Sequence, residues 1–466
     1  MTIRGNSNPI LPAWRGVLAR RDDDAAILAA DGNVLRTFAA IESEARAMEI
    51  AFERLLSGAA VGVQFGNDAR FPALLLALWR RGLVPVPLDR SLGREAIAAA
   101  LGVCGAAALV TPNLREGIAV ERRAVACAGV CEMDADFLKL TSGTSGAPRA
   151  IRFRAAQLLA DCDAVCDTMG IGADDLNFGV IPWSHSYGFS NLLTPLICRG
   201  VPLVASDERL PRALLDGLAR SGATVFPGLP VLFQALAELP ESDCPPIPGL
   251  RLCISAGAPL SAATAARFRE RFGVKIHGFY GSSECGGIAY DTSDAPVPEG
   301  CVGEPVRGVR LVHDEATGRV EVHGPAVGDG YFPEPDADVL GGGRFMPGDL
   351  VVRTSHGIVL AGRVSDFINV AGRKLNPAEV ESCLRKIAGV RDVMVFGVPS
   401  ASRGEEPVAC VVGEVNADDL KRQCQTVLAS WQTPRDFWIV DALPFNERGK
   451  RNRRALADAY LSRPTR

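Results

Sequence analysis

Residues 141–149 read Thr-Ser-Gly-Thr-Ser-Gly-Ala-Pro-Arg, and this stretch combines four hydroxyl side chains, two glycines and one cation. Glycine lets backbone N–H groups approach an anion closely, hydroxyls donate further hydrogen bonds, and a cation neutralises the remaining negative charge. The stretch therefore predicts a loop that binds phosphate. A flexible surface loop is the alternative, because glycine and serine occur in loops of every kind. The stretch matches neither the Gly-Lys-Ser/Thr ending of a P-loop nor a dinucleotide-binding G-x-G-x-x-G.

The elements that would position this loop alternate between helical and strand-like segments. One apolar helical run ends at Gly82, and short apolar segments typical of buried strands lie between such runs. This alternation predicts a layered α/β domain in which helices cover a largely parallel sheet. The predicted helices are 70–81, 94–101 and 213–220, and the predicted strands are 83–88, 106–111, 201–205, 224–227 and 252–255.

The pattern changes twice in the second half of the chain. Between residues 302 and 360, short strands are broken by glycine and proline, which predicts a small β-rich or barrel-like region. After Gly362 two further helices and two further strands are predicted, which indicates a separate α+β unit of about a hundred residues. We therefore expect a large N-terminal domain, residues 1–362, and a small C-terminal domain, residues 363–466. Its predicted helices are 377–387 and 417–428, and its predicted strands are 390–398 and 408–412.

Composition excludes several classes of protein. The chain has 466 residues, of which 47% are hydrophobic and 22% charged, and its net charge is −4. That balance is typical of a globular enzyme and argues against a protein that coats nucleic acid or an anionic membrane. The longest apolar run is about half of a membrane span, and residues 1–21, which lack an apolar run, do not predict a secretory signal. Thirteen cysteines without CxxC pairs then predict reduced, mostly buried thiols and a cytoplasmic location.

Several further segments accompany the first loop in a fixed order. They are Pro-Trp-Ser-His-Ser-Tyr-Gly at 182–188, Ser-Ala-Gly-Ala-Pro at 255–259, Tyr-Gly-Ser-Ser-Glu at 280–284, Gly-Asp-Leu at 348–350, Gly-Arg-Val-Ser-Asp at 362–366 and Gly-Lys-Arg-Asn-Arg at 449–453. Together, over nearly the whole chain, they resemble the superfamily of adenylate-forming enzymes. That superfamily includes acyl- and aryl-CoA synthetases, adenylation domains of peptide synthetases, and luciferases.

The resemblance implies a reaction in two steps. A carboxylic acid attacks the α-phosphate of ATP to give an acyl-AMP and pyrophosphate, and a thiol then takes the acyl group. Both reactants of the first step are anionic, so the site needs cations and N–H donors to bring them together. The implied cofactors are ATP, Mg²⁺ and coenzyme A, or the phosphopantetheine of a carrier protein.

The resemblance also assigns the nucleotide-binding residues. The β- and γ-phosphates would be bound by Thr141, Ser142, Gly143, Thr144, Ser145, Gly146 and Arg149, and the adenine and its surroundings by Ala256, Gly257, Tyr280, Gly281 and Ser283. Asp349 would accept hydrogen bonds from both ribose hydroxyls, a task suited to two carboxylate oxygens, and Arg363 would donate to the ribose. Glu284 would hold Mg²⁺, whose coordination suits one carboxylate together with phosphates and waters.

Lys450 and His185 are the remaining catalytic candidates. In the superfamily the matching lysine bridges the substrate carboxylate and the nucleotide, where charge builds in the transition state. The basic residues next to Lys450 are better interpreted as a solvated surface patch. The alternative interpretation of Lys450 is that it belongs to this patch and has no catalytic role. The matching histidine borders the acyl pocket and often gates the passage of the thiol, whereas a lone histidine after a strand is often a satisfied core residue.

Four positions in this chain depart from the superfamily pattern: Pro347 and Ser283 each stand where threonine is usual, and Arg149 and Ser365 are the other two. The loop ends in Arg149 where lysine is usual, and a planar guanidinium is not equivalent to an ammonium group. The hinge about which the small domain rotates is Ser365, in place of an acidic residue or lysine, and it should still permit the motion. After that rotation the loop at Gly372 would line the thiol tunnel.

The identity of the acid is left open by the sequence. The walls of the acyl pocket by position are His185, Tyr187, Phe226, Gly228, Ala258, Cys285 and Gly286, a mixture that fits an aromatic or medium-length acyl carboxylate; several of them would equally suit the core. No acid stands beside His185 in the sequence, so α-amino acids are expected to be poor substrates. Transfer to coenzyme A is favoured; a carrier-protein pantetheine or an amine is the alternative acceptor, and a non-catalytic nucleotide-binding homologue is the second alternative.

Overall fold

The computed structural model describes residues 8–113, 115, 117–123, 134–142, 148–240, 242, 244–400, 402–443 and 453–463, and of Ser142 it describes the backbone. Its helices are α1 (Ile10–Arg21), α2 (Phe38–Glu49), α3 (Phe71–Arg80), α4 (Arg94–Val103), α5 (Ala155–Met169), α6 (Ser186–Gly188), α7 (Thr194–Arg199), α8 (Pro211–Ser221), α9 (Pro230–Ala237), α10 (Ala262–Phe272), α11 (Pro377–Arg385), α12 (Ala417–Val427) and α13 (Arg453–Leu461).

The strands before residue 300 are β1 (Ala25–Ala29), β2 (Val34–Thr37), β3 (Ala60–Val63), β4 (Val84–Pro87), β5 (Ala108–Asn113), β6 (Gly117–Arg122), β7 (Phe137–Ser142), β8 (Pro148–Phe153), β9 (Asn177–Gly179), β10 (Leu203–Ala205), β11 (Val225–Gly228), β12 (Leu252–Ser255), β13 (Ile276–Ser282) and β14 (Gly286–Tyr290). Those after it are β15 (Cys301–Pro305), β16 (Arg310–Asp314), β17 (Arg319–His323), β18 (Gly330–Phe332), β19 (Leu340–Gly341), β20 (Arg344–Phe345), β21 (Asp349–Thr354), β22 (Gly357–Arg363), β23 (Ile368–Val370), β24 (Arg373–Leu375), β25 (Val390–Ser400), β26 (Gly404–Gly413) and β27 (Asp436–Val440).

The chain divides into two compact units. The larger consists of Met1–Val312 and Glu321–Pro347, and the smaller of His313–Val320 and Gly348–Arg466. The second unit thus begins before the boundary expected after Gly362, and the boundary at 362/363 stays a prediction.

A sheet with a parallel centre organises the larger unit. Its strands follow the order β2-β1-β10-β9-β11-β12-β13-β14-β15. All neighbours from β1 to β13 pair in parallel, and antiparallel strands flank them at β2 and from β14 onward. The layered α/β architecture with a largely parallel sheet is therefore confirmed. Carboxyl ends of neighbouring parallel strands meet at one edge, where ligands bind in such sheets.

A second sheet of this unit contacts helix α3 through strand β4. Strands β4, β3 and β5 pair in parallel, and β6 closes the sheet in antiparallel orientation. Helix α3 is buried at every residue from Phe71 to Trp79, as its unbroken apolar sequence requires. The helix ends before Gly82, whose φ of +64° is a left-handed conformation that glycine adopts without a steric penalty.

The expectation of a barrel-like region over residues 302–360 is wrong as to closure. The described strands form open antiparallel ladders, such as β19-β20-β17 and β21-β22. A barrel needs every strand to pair on both sides around a closed circuit. Strand β18 instead pairs with β8, which forms a hairpin with β7.

The smaller unit buries both faces of a five-stranded sheet, ordered β24-β23-β26-β25 with β27 beside β26. Alternate residues of β25 supply the two cores, because side chains of a strand point to opposite faces in turn. Val393 and Val395 pack with Leu384 of α11 on one face, and Met394 and Phe396 pack with Leu456 of α13 on the other. This arrangement confirms the expected small α+β unit.

The cysteines of the described residues are free thiols. Most are buried, and burial raises the pKa of the Cys410 and Cys424 thiols to about 11. Cys244 and Cys383 are half-buried. Among the described residues, every helix is too short or too polar to cross a membrane.

Candidate active site

Both ends of the predicted phosphate loop lie on a regular hairpin. Thr141 at the end of β7 faces Arg149 at the start of β8, and the backbone of Ser142 faces Pro148. Pairing of these strands fixes how far apart the loop begins and ends. The predicted ligands Gly143, Thr144, Ser145 and Gly146 lie outside the described residues.

Arg149 is held by contacts that a lysine would not make in the same way. Its Nη2 donates to the carbonyl oxygen of Glu334 over 3.0 Å, and its guanidinium carbon lies 4.0 Å from the centroid of the Tyr331 ring. A guanidinium group stacks on an aromatic face and still directs N–H donors outward. The departure from lysine at this position is therefore matched by an aromatic partner.

Tyr331 also contacts Glu284, the metal-binding candidate. The Tyr331 hydroxyl donates to Glu284 Oε1 over 3.1 Å, and Ser282 Oγ donates to Oε2. Burial and the Glu284 charge raise the pKa of Tyr331 above its ordinary value, so the phenol remains a donor at neutral pH. Tyr331 thus links the cation of the phosphate loop to the carboxylate. Sequence reasoning missed it, because a Tyr between Gly330 and Phe332 carries no signal without the pairing of β18 with β8.

The donor set around Glu284 fits a metal ion that is bound mainly by substrate. Among the described residues, no group of three or more His, Cys, Asp or Glu is placed to hold a metal. Mg²⁺ takes one or two carboxylates and obtains its other ligands from phosphates and waters. A single carboxylate, oriented by two hydroxyl donors, is consistent with that coordination.

The adenine candidates follow two neighbouring parallel strands. Ala256 and Gly257 follow β12, and Tyr280 and Gly281 lie near the end of β13. Gly257 has a φ of +87°, a left-handed conformation that suits glycine at this turn. Ser283 accepts a hydrogen bond from Ser186 over 2.9 Å. These candidates therefore lie at one sheet edge, while their contacts with a nucleotide stay predictions.

His185 has an acidic partner, contrary to the expectation from its sequence neighbours. Its Nε2 contacts Asp89 Oδ2, and the two side chains are 24% and 16% exposed. The hydrogen bond from His185, aided by donors of Ser91, lowers the pKa of Asp89 far below its ordinary range. Asp89 follows β4, far away in the chain, so no local pattern could have indicated the contact. The premise that no acid lies near His185 is therefore wrong. Because the Asp89 carboxylate is already paired with His185, it is not free to bind the ammonium group of an amino acid. Poor use of amino acids as substrates stays a prediction.

The predicted walls of the acyl pocket separate into two groups. Tyr187 is half-buried, its hydroxyl donates to the carbonyl of Ile254 over 2.9 Å, and its ring centroid lies 6.0 Å from that of Phe279. Ala258 is also half-buried. His185 is half-buried as well, and the role of these three residues as pocket walls stays a prediction.

The other predicted walls pack inside the unit. Phe226 is fully buried between Phe178 and Phe233, at centroid distances of 6.1 and 5.1 Å. A Cβ on Gly228 would lie 3.0 Å from the Phe233 ring, and one on Gly286 would lie 2.1 Å from Asp161. Cys285 is 1% exposed, and burial raises the pKa of its thiol. Their packing favours the core interpretation, and their role as pocket walls stays a prediction.

The smaller unit contains the two ribose candidates and the predicted hinge residue. Arg363 Nε donates to Asp349 Oδ1 over 2.6 Å, because β21 and β22 place the two residues opposite each other. Ser365 lies in a single helical turn and donates to Asp366 over 3.2 Å. Gly372 has a φ of +81° between β23 and β24. Lys450, the catalytic candidate, lies outside the described residues.

Comparison with known proteins identifies both parts of the chain. Residues 17–332 match the family model of the AMP-binding enzymes, and residues 379–450 match that of the AMP-binding enzyme C-terminal domain. Feruloyl-CoA synthase of Amycolatopsis is 28% identical over 82% of this chain and 85% of its own length. The 4-hydroxybenzoate–CoA/benzoate–CoA ligase of Rhodopseudomonas palustris is 28% identical over 84% and 82%. A naringenin synthase of Pestalotiopsis fici is 29% identical over 70% of this chain, which spans 13% of that protein.

Solved structures share the fold over nearly the full chain. ATP-bound MatB from Rhodopseudomonas palustris superimposes with a TM-score of 0.82 at 25% identity and covers 97% of this chain and 99% of its own. The amide bond synthetase McbA from Marinactinospora thermotolerans has a TM-score of 0.83 at 24% identity and covers 97% and 100%.

Proposed function

This chain belongs to the AMP-binding enzyme family, and on that premise we propose that it is an AMP-forming acid–thiol ligase. A carboxylate oxygen of the substrate attacks the α-phosphorus of ATP, and the bond to pyrophosphate breaks. The thiol sulfur of coenzyme A then attacks the acyl carbon, the bond to AMP breaks, and the thiol proton is released. The observation that carries the proposal is the arrangement of Arg149, Tyr331 and Glu284 at the base of the phosphate loop.

The chain's own residues supply binding and charge. Thr141 and Arg149 hold the departing phosphates together with the loop between them, and the stacked guanidinium offers fixed N–H donors. Glu284 would hold Mg²⁺, which neutralises charge on the phosphates when bound. Asp349 and Arg363 bind the ribose, and Lys450 neutralises the charge that builds on the reacting oxygens.

We propose an aryl carboxylic acid as the substrate class. Tyr187 and Phe279 bring two rings close together beside the segment of His185, and stacked or tilted aromatic contacts favour a planar acyl group. Two of the relatives described above are named for the CoA ligation of ferulate and of benzoates. A medium-length acyl chain is the competing class.

ATP–pyrophosphate exchange with a panel of acids tests this function. Benzoates and cinnamates should support exchange, medium-chain fatty acids should do so less well, and free amino acids should fail. Coenzyme A added to the best acid should yield its thioester and AMP.

Lys450→Ala should abolish pyrophosphate exchange, because the charge on the reacting oxygens is then not neutralised.

Three results would contradict parts of the proposal. Full exchange in Lys450→Ala would reject the role of that lysine. Exchange with amino acids alone would reject the aryl class. Pyrophosphate exchange without formation of the coenzyme A thioester, together with acyl transfer to a phosphopantetheine carrier or to an amine, would reject coenzyme A as the acceptor.

A further inference from the structure

The contact between Asp89 and His185 joins two of the sheets of the larger unit. Asp89 follows β4 of the four-stranded sheet, whereas His185 follows β9 in the central sheet. Both side chains are mostly buried, with 16% and 24% of their surface exposed. An ionised carboxylate in such a place needs hydrogen-bond donors to offset its lost hydration.

Asp89 is held in place independently of the histidine. Its Oδ1 accepts from the backbone N–H and the hydroxyl of Ser91, over 2.8 and 2.7 Å. Gln64 Nε2 donates to the carbonyls of Asp89, Arg90 and Leu92 over 3.1 to 3.3 Å, which ties this turn to the end of β3. The second oxygen, Oδ2, therefore remains for His185.

The charge on Asp89 determines which ring nitrogen carries hydrogen. An ionised carboxylate only accepts hydrogen bonds, so the hydrogen in this contact belongs to His185 Nε2. In the neutral ring, Nδ1 is then the unprotonated nitrogen and the base. The neighbouring charges are Arg90 and Asp207, which pair with each other at 73% and 61% exposure.

The two half-reactions differ in their need for a base. Adenylation begins with a carboxylate, which has no proton to lose. Thioester formation begins with a thiol, whose proton must leave as sulfur attacks the acyl carbon. A histidine fixed in the Nε2–H tautomer can assist the second step alone.

We propose that His185 Nδ1 accepts the proton of the acceptor thiol and that Asp89 is the positioning residue that fixes the orientation and tautomer of His185. The sulfur–carbon bond forms, the bond between the acyl carbon and AMP breaks, and the proton passes from sulfur to Nδ1. The inference rests on the proposed ligase function.

The test compares Asp89→Asn with Asp207→Asn, an exposed aspartate in the same neighbourhood. Exchange measures adenylation, and single-turnover transfer from preformed acyl-AMP to coenzyme A measures thiolation. Asp89→Asn should change exchange by less than about twofold and slow transfer roughly a hundredfold, within the range that general-base catalysis supplies. The defect should shrink as the pH approaches the pKa of the coenzyme A thiol, which then ionises without help. Asp207→Asn should behave like the wild type.

The ¹⁵N chemical shifts of histidine provide a readout that does not depend on activity. In the wild type, His185 should show the Nε2–H tautomer, with its signal assigned by its loss in His185→Gln among the five histidines of the chain. A wild-type Nδ1–H tautomer would overturn the proposal, even if Asp89→Asn failed to fold. Equal losses of exchange and transfer at every pH would likewise overturn it, since a structural role would do the same.

Failure of the ligase function has a different signature. A wild-type enzyme that exchanges pyrophosphate but never forms a thioester rejects the thiol acceptor, and with it this proposal. Normal thioester formation by the wild type, together with undiminished transfer in Asp89→Asn, rejects the proposal alone.

Discussion

Tyr331 gives the metal-binding candidate and the phosphate-loop cation a common neighbour. Its ring face stacks on the guanidinium of Arg149, and its hydroxyl donates a hydrogen bond to Glu284, so one side chain contacts both charged groups. A phenol can serve both because its apolar ring and its polar end act independently. This division makes the two contacts separable by mutation.

At the residue scale, Tyr331→Phe should keep the stacking on Arg149 and lose the hydrogen bond to Glu284. The Mg²⁺ concentration for half-maximal exchange should rise about tenfold, which corresponds to the roughly 1.5 kcal/mol that a hydrogen bond to a charged group contributes. A Mg²⁺ titration of pyrophosphate exchange measures this. Tyr460→Phe is the matched control, because it removes a 2.7 Å hydrogen bond from a tyrosine to Asp436 in the smaller unit. An unchanged titration, or an equal shift in the control, would refute the assignment.

Residue types were enough to nominate Thr141 and Arg149 for a phosphate loop, and the resemblance to the superfamily nominated Glu284. They could not nominate Asp89 or Tyr331, because each reaches its partner through strands distant in sequence. The same limit explains the error about His185, whose acidic partner is absent from its own segment.

At the element scale, one carboxylate fastens the amino ends of three neighbouring strands. Asp175 precedes β9 and accepts hydrogen bonds from Thr224, which precedes β11, and from Arg251, which precedes β12. These contacts lie at the edge of the sheet opposite the candidate site. Burial alone would raise the pKa of Asp175. The hydrogen bonds from Arg251, Gly172 and Thr224 outweigh this effect, so the pKa lies below its ordinary value.

Asp175→Asn should therefore destabilise the larger unit in a pH-dependent way. A carboxyl whose pKa is lowered on folding contributes stability above its unfolded pKa of about 3.9, and this contribution is lost as the pH falls. The loss at pH 7 should be about 1–3 kcal/mol and should shrink below about pH 4. Urea unfolding at a series of pH values measures it. Asp216→Asn, which removes an exposed pair with Arg212, should cost less than about 0.5 kcal/mol. A loss that grows towards low pH would contradict the argument.

Strand positions in this sheet were largely predictable from sequence. Strand β12 occupies the expected residues 252–255, and α3, α4 and α8 end within two residues of their predicted bounds. Buried parallel strands are continuous apolar runs, which makes them visible. The open pairing of the described strands over 302–360 was not predictable in the same way, because closure depends on which strands pair and not on where strands lie.

At the scale of the whole molecule, each unit has hydrophobic clusters of its own. Leu384 of α11 is fully buried in a cluster with Val380, Val393 and Val411 of the smaller unit. Leu101 of α4 is buried with Val86 in the larger unit. Units with separate cores can unfold separately.

Calorimetry should accordingly resolve two transitions with separate sensitivities. Leu384→Ala should lower the free energy of unfolding of the smaller unit by about 2–5 kcal/mol, the usual cost of a cavity in a core, and should lower the temperature of its transition. Leu101→Ala should have a similar effect on the larger unit and leave the transition of the smaller unit unchanged. A single transition that both substitutions shift equally would contradict the independence of the two cores.

The distribution of thiols makes the chain suitable for distance measurements by spectroscopy. Of the described cysteines, Cys244 in the larger unit and Cys383 in the smaller unit are half-buried, and the others are buried. Because the thiolate is the reactive form, the raised pKa values of buried thiols such as Cys410 disfavour their labelling at neutral pH. In a variant with Cys127 and Cys131 replaced, Cys244 and Cys383 provide one attachment point for a dye on each unit. A donor and an acceptor fluorophore placed there would report directly whether the two units reorient between the two half-reactions.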